Sequence, residues 1–132
     1  MSTNKELFSI SELSAQFNIS PRTIRFYEEK QLISPERTSG NQRVYSRKDR
    51  ARLRLILRGK SFGFSLKEIG EMIGMANVDM SEIDQIKTSL DYSKNKISEI
   101  QDKKEELTHL EKELTHMTLR LADRLALLME SS

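Results

Sequence analysis

No glycine or proline follows Gly74, and from about Ser81 to Met129 the chain reads as one long polar helix. Apolar residues recur along it in alternating three- and four-residue steps: Ile83, Ile86, Leu90, Ile97, Ile100 and Leu107, with Ser93 and Lys104 as polar interruptions. Leu110 arrives one residue early, and the stripe resumes through Leu114, Met117, Leu121, Leu125 and Leu128. Such a skip overwinds a coiled coil locally, or marks a change of packing partner. At 1.5 Å per residue the helix is roughly 70 Å long. It cannot bury that stripe alone, so it needs a partner helix. The expectation is a mainly α chain with a coiled-coil dimerisation helix over 77–132 and a separate globular domain over 1–76.

The front half is broken by turn signals into short elements. Ile10, Leu13 and Phe17 have the spacing of one helix face, capped by Ser9 or Ser11; Ser9 with Glu12 fits a capping box. Asn18-Ile19 makes a tight break. Ser20-Pro21 then supplies a hydroxyl cap and a first-turn proline for a second helix that runs to about Lys30. Two short helices so joined form the helix-turn-helix pattern. On the second, Arg22 and Arg25 share a face while Ile24 points back toward the first helix. Phe26 and Tyr27 add aromatic bulk, and Phe26 reads as core.

Leu32-Ile33-Ser34-Pro35 ends that helix. The segment Arg37 to Tyr45 has turn chemistry at Ser39-Gly40-Asn41 between short β-forming flanks, which predicts a two-stranded wing presenting Arg37, Arg43 and Tyr45. Ser46 with Asp49 caps a third helix carrying Leu53, Ile56 and Leu57. Its arginines at 50, 52, 54 and 58 are as compatible with a solvated, salt-bridged face as with contacts. Ser65 with Glu68 opens a fourth helix through Ile69, Met72 and Ile73, which Gly74 ends.

Charge divides along the same line. Residues 1–74 hold 14 Lys and Arg against 8 Asp and Glu, whereas residues 75–132 hold 8 against 12. A basic front and an acidic rear suggest that the front alone meets a polyanion. The chain has no cysteine, which removes disulfides and thiolate ligands. His109 and His116, seven apart, read as solvated helix positions rather than metal ligands, because no carboxylate–histidine cluster surrounds them. Met72, Met75, Met80, Met117 and Met129 read as core or seam filler. No apolar run is long enough to span a membrane, and Met1 to Leu7 lacks a signal-peptide core, so the expected compartment is the cytoplasm. Glycine-rich phosphate loops, nucleophile–base pairs and metal clusters are all missing, so no enzyme and no cofactor is expected.

The order of these elements resembles the MerR family of bacterial transcription regulators. The resemblance rests on Ile10-Ser-Glu-Leu13, Thr23-Ile-Arg-Phe-Tyr-Glu28, Leu32-Ile-Ser-Pro35, Arg43-Val-Tyr45 and Phe62-Gly-Phe-Ser-Leu-Lys-Glu-Ile69. It implies a homodimer joined by an antiparallel coiled coil, with a winged helix-turn-helix domain at each end. Such a dimer binds a promoter palindrome, bends and untwists it, and so controls initiation by RNA polymerase, an indirect-readout mechanism. By the same resemblance Arg22, Arg25 and Thr23, with the cap Ser20, face the major groove. Tyr27 sits near a phosphate, and Arg43 and Tyr45 of the first wing, with Lys60 and Phe64 of the second, clamp the backbone.

Metal-sensing relatives use cysteines at the end of the dimerisation helix, which this chain does not have. No ligand domain is expected after Leu128, and a small-molecule effector, if any, is not identified by any residue. The stretch Leu55-Ile-Leu-Arg-Gly-Lys60 with Phe62-Gly-Phe64 is similar to a compact subgroup that includes regulators of branched-chain amino-acid and fatty-acid breakdown. The competing reading is an interaction protein whose coiled coil recruits a partner and whose DNA binding is vestigial.

Overall fold

The computed structural model describes residues 6–74, 76 and 80–131. Its elements run β1 (Leu7–Phe8), α1 (Ile10–Phe17), α2 (Pro21–Glu29), β2 (Glu36–Arg37), β3 (Arg43–Ser46), α3 (Arg47–Ser61), α4 (Leu66–Ile73) and α5 (Glu82–Glu130). Two compact units emerge, Met1–Tyr92 and Ser93–Ser132. The boundary expected after Ala76 abuts residues 77–79, which lie outside the described residues, as does Met75.

Hydroxyl caps start the helices of the first unit, since the first N–H groups of a helix have no partner within it. Capping boxes are present at Ser9/Glu12, Ser46/Asp49 and Ser65/Glu68, and Ser20 accepts from the Thr23 N–H with Pro21 opening α2. The choice between Ser9 and Ser11 thus falls on Ser9. Asn18 closes α1 in the left-handed conformation, with φ of 55°. Ser81 caps α5 by accepting from the Asp84 N–H at 3.1 Å.

The wing is one strand larger than expected. β3 pairs antiparallel with β2 (Glu36↔Val44, Arg37↔Arg43) and, on its other edge, with β1 (Leu7↔Ser46, Phe8↔Tyr45). β1 has only two residues, too few to leave any alternation for a sequence reading to find.

The core gathers Leu13 of α1, Ile24 and Tyr27 of α2, Leu32 and Ile33 of the following loop, Tyr45 of β3, Leu53 and Ile56 of α3, and Phe64, Ile69 and Met72 around α4. Gly59 lets α3 and α4 approach closely: a Cβ there would stand 2.8 Å from Cγ1 of Ile69. Two buried charges tie the elements together. The Asp49 carboxylate accepts from the backbone N–H groups of Ser34 (3.1 Å) and Ser46 (3.0 Å). Arg52 donates Nε to the Leu32 carbonyl (2.6 Å), Nη1 to that of Ile73 (3.2 Å) and Nη2 to that of Gly74 (2.5 Å). This single guanidinium joins the loop after α2 to the end of α4.

α5 is different in kind. Tyr92 meets Phe64 edge-on at 6.2 Å, but no residue of the helix is buried. Every seam residue expected from the spacing stands open, from Ile83 (66% exposed) through Leu107 (64%) to Leu121 (60%). No helix of the described residues is long and apolar enough to cross a membrane.

Candidate nucleic-acid interface

α2 is sided as its spacing requires. Ile24 and Tyr27 enter the core, while Arg22, Arg25 and Glu29 are exposed on the far side. Phe26 corrects an expectation: it is not core but 42% exposed, because the 100° step per residue carries it to the side of Arg22. Lys30 Nζ lies 5.4 Å from the centre of its ring. Ser20 and Thr23 are engaged with one another; besides the cap, their hydroxyl oxygens are 2.9 Å apart. Arg22 and Arg25 have no hydrogen bond or ion pair among the described residues, and with Phe26, Glu28, Glu29 and Arg43 they line a notch of about 410 Å³.

The wing contributes unevenly. Its turn is closed by Thr38 N–H to the Gln42 carbonyl (2.8 Å) and Asn41 N–H to the Thr38 carbonyl (2.8 Å), with Asn41 left-handed at φ 62°. Arg37 braces this turn through Nη1 to the Asn41 carbonyl (3.1 Å). Arg43 donates Nε to Oε2 of Glu28 at 2.7 Å, an ion pair from β3 to α2.

Tyr45, expected among the backbone contacts, does not present its side chain at the surface. It shares a strand face with Arg43, but that face is covered over Tyr45, whose side chain is fully buried. Its hydroxyl has no hydrogen-bond partner among the described residues, and burial, with the Glu28 charge next, pushes it up to about 12. Burial also raises Tyr27, which keeps only 6% exposure and packs tilted against Phe26. Phe64, which follows the left-handed turn at Gly63 (φ 88°), is likewise buried in the core.

Lys60 is exposed at the end of α3. Beside it, a groove of about 730 Å³ brings together Phe26, Lys30, Lys60, Leu66 and Lys67. Lys30 and Lys67 escaped the sequence reading, since only the packing of α2 near α4 places these distant lysines on one rim. The arginines of α3 are largely structural. Arg52 is buried, Arg50 bonds Gln16 (2.9 Å) and lies over Phe8, and Arg54 lies over Phe17.

A cationic α2 face flanked by two wings is the arrangement of a winged helix-turn-helix. Residues 8–75 match the model of the MerR HTH family regulatory proteins, and residues 50–117 match the model described as MerR, DNA binding. The chain belongs to the MerR family. Among curated MerR-type relatives it is 37% identical over 70 residues to the HTH-type transcriptional regulator ZntR of Escherichia coli K12, covering 52% of this chain and 50% of that one. It is 33% identical over 90 residues to HmrR of Rhizobium leguminosarum, covering 63% and 70%. The chain therefore spans about half the length of the first of these relatives. Among solved structures, HiNmlR, a MerR family regulator lacking the sensor domain and bound to promoter DNA, superposes with a TM-score of 0.55 at 25% identity, over 76% of this chain and 78% of that one. A MerR family protein of Listeria monocytogenes shares the fold over 95% of this chain and 99% of its own, with a TM-score of 0.70 at 18% identity.

Proposed function

We propose that this MerR family member is a sequence-specific transcription regulator, not an enzyme, that binds a promoter palindrome as a homodimer in the cytoplasm. Arg22 and Arg25 carry this reading. They stand exposed on a helix whose start is fixed by Ser20 and Pro21 and whose back is buried through Ile24. An arginine so placed reads guanine bidentately in the major groove. Arg43 and Lys60 hold the flanking phosphates, which fix register and orientation. Lys30 and Lys67 extend that basic rim. Tyr45 and Phe64 support the two wings from beneath, and Ser20 and Thr23 act by fixing the start of α2.

The exposed stripe from Ile83 to Leu121, with Ile86, Leu90, Ile97, Ile100, Leu107, Leu110, Leu114 and Met117, joins two copies in an antiparallel coiled coil. Two winged domains so joined then grip two half-sites and distort the DNA between them, which alters promoter geometry for RNA polymerase. The structural likeness to HiNmlR, solved bound to promoter DNA, supports the same reading. The test is anisotropy titration of the full chain onto DNA from its own upstream region over a range of salt. The reading expects saturable binding whose log affinity falls linearly with log salt. No retention on any DNA at low salt would overturn it.

A further inference from the structure

Arg43 is held on one side by a carboxylate and open on the other. In register across the hairpin it faces Arg37, so two cations stand on one sheet face at neighbouring strands, an unfavourable cross-strand pair. Arg37 is turned away to the Asn41 carbonyl. Arg43 is held by Glu28, and through one atom only: Nε donates to Oε2 at 2.7 Å. Neither Nη1 nor Nη2 of Arg43 has a partner among the described residues. Both side chains remain partly open, at 29% for Arg43 and 23% for Glu28, and both line the notch that also holds Arg22 and Arg25.

We propose that Glu28 is a positioning residue for DNA binding, clamping Arg43 by Nε so that Nη1 and Nη2 present a preformed fork to one phosphate. The inference rests on the DNA-binding reading above. A guanidinium has five donors, so the Glu28 bond leaves the terminal pair available for bidentate recognition of phosphate oxygens. A long side chain ordered in advance loses less entropy on binding. The carboxylate also works against DNA, because it brings negative charge toward a polyanion. The sign of its removal therefore separates the two effects: lost positioning weakens binding, whereas relieved repulsion tightens it.

The experiment compares Glu28→Ala, Glu28→Gln, Arg43→Ala and the Glu28→Ala/Arg43→Ala double variant of the full chain. Affinity and salt slope are measured on the wild type's own promoter DNA, with tyrosine-detected unfolding to check the fold. Glu28→Ala is expected to weaken binding roughly 3- to 10-fold, the range for ordering one long side chain. Its salt slope should fall by about one, the signature of one lost phosphate contact. The double variant should bind as Arg43→Ala does, and Glu28→Gln, which keeps an oxygen acceptor for Nε, should stay close to wild type. Tighter binding by Glu28→Ala, additive losses with an unchanged slope, or a Glu28→Gln loss as large as that of Arg43→Ala would overturn the proposal. Should Glu28→Ala unfold, the Glu28→Gln result decides. If Arg43→Ala binds as wild type does, this inference fails together with the phosphate role of Arg43, while DNA binding itself stands; if wild type binds no DNA, the functional reading fails first.

Discussion

Residues up to Tyr92 and residues from Ser93 onward come from one chain but obey different rules. The first unit buries leucine, isoleucine and tyrosine from five elements and the loop after α2 against one another, caps its helices with serine, and bonds its buried charges to backbone groups. The second holds the greater part of α5, and from Ile97 onward every described residue is exposed, including leucines that would stabilise a core by about 2 kcal/mol each if buried. The first unit has a core of its own, while the second has none, and the apolar stripe of α5 calls for another helix along its length. On the reading proposed above, recognition is the work of the first unit and doubling that of the second, and the two can be broken separately.

The largest effect should come from the incomplete unit. Leu107→Asp places a charge in the seam, and sedimentation should show a monomer where wild type is a dimer. Because the two half-sites then bind independently, operator affinity should drop by roughly 10²-fold or more. Tyrosine fluorescence should report an intact fold, since all three tyrosines (Tyr27, Tyr45 and Tyr92) lie in the first unit. A Leu107→Asp protein that remained dimeric would break the comparison.

Arg52→Ala strikes the other unit. It strands the carbonyls of Leu32, Ile73 and Gly74 and leaves Asp49 without its neighbouring cation, for a loss of about 3 kcal/mol. A urea midpoint followed by tyrosine fluorescence should fall clearly, and an unchanged midpoint would count against the clamp. Arg25→Ala should leave that midpoint alone while costing roughly 1–3 kcal/mol of DNA binding and relaxing preference at one base position. Uniform weakening across all sequences would reassign Arg25 to the phosphates.

Much of this contrast was legible before any coordinates. Capping is local, so Ser20-Pro21 and the Ser46/Asp49 and Ser65/Glu68 boxes mark their helices within four residues. The seam is periodic, so the length of α5 was legible from Ser81 onward, and the face from Ile83 to Leu128 rests on spacing alone. What escaped depends on cover from elsewhere in the chain. Arg43 and Tyr45 lie two apart on one strand face, and nothing local says that the core covers Tyr45 and ends before Arg43. Phe26 looked like core because it is aromatic, though the helix turn carries it outward. Arg52 hides among arginines of identical composition, and only the fold makes it the one that is buried.

Tyr45→Phe tests that cover with the smallest expected change. The variant loses an unpartnered buried hydroxyl, so stability near neutrality should hold or rise by up to about 1 kcal/mol. The folded protein keeps Tyr45 protonated to about 12, above the ordinary value of 10.0, so the unfolded chain releases that proton first. This contribution is fully present below pH 10 and is lost as pH rises toward 12. Wild type should therefore lose more stability than Tyr45→Phe over that interval. A several-fold loss of DNA affinity in Tyr45→Phe would instead restore the hydroxyl as a phosphate contact.

The central claim is a division of labour between a self-contained reader and a helix that doubles it, and footprinting on the protein's own promoter tests both at once. Wild type should protect two related half-sites symmetric about a dyad, with the intervening DNA distorted. Leu107→Asp should lose that paired protection at the same concentration. Protection of a single, asymmetric half-site by wild type, or the same paired footprint from Leu107→Asp, would contradict the account.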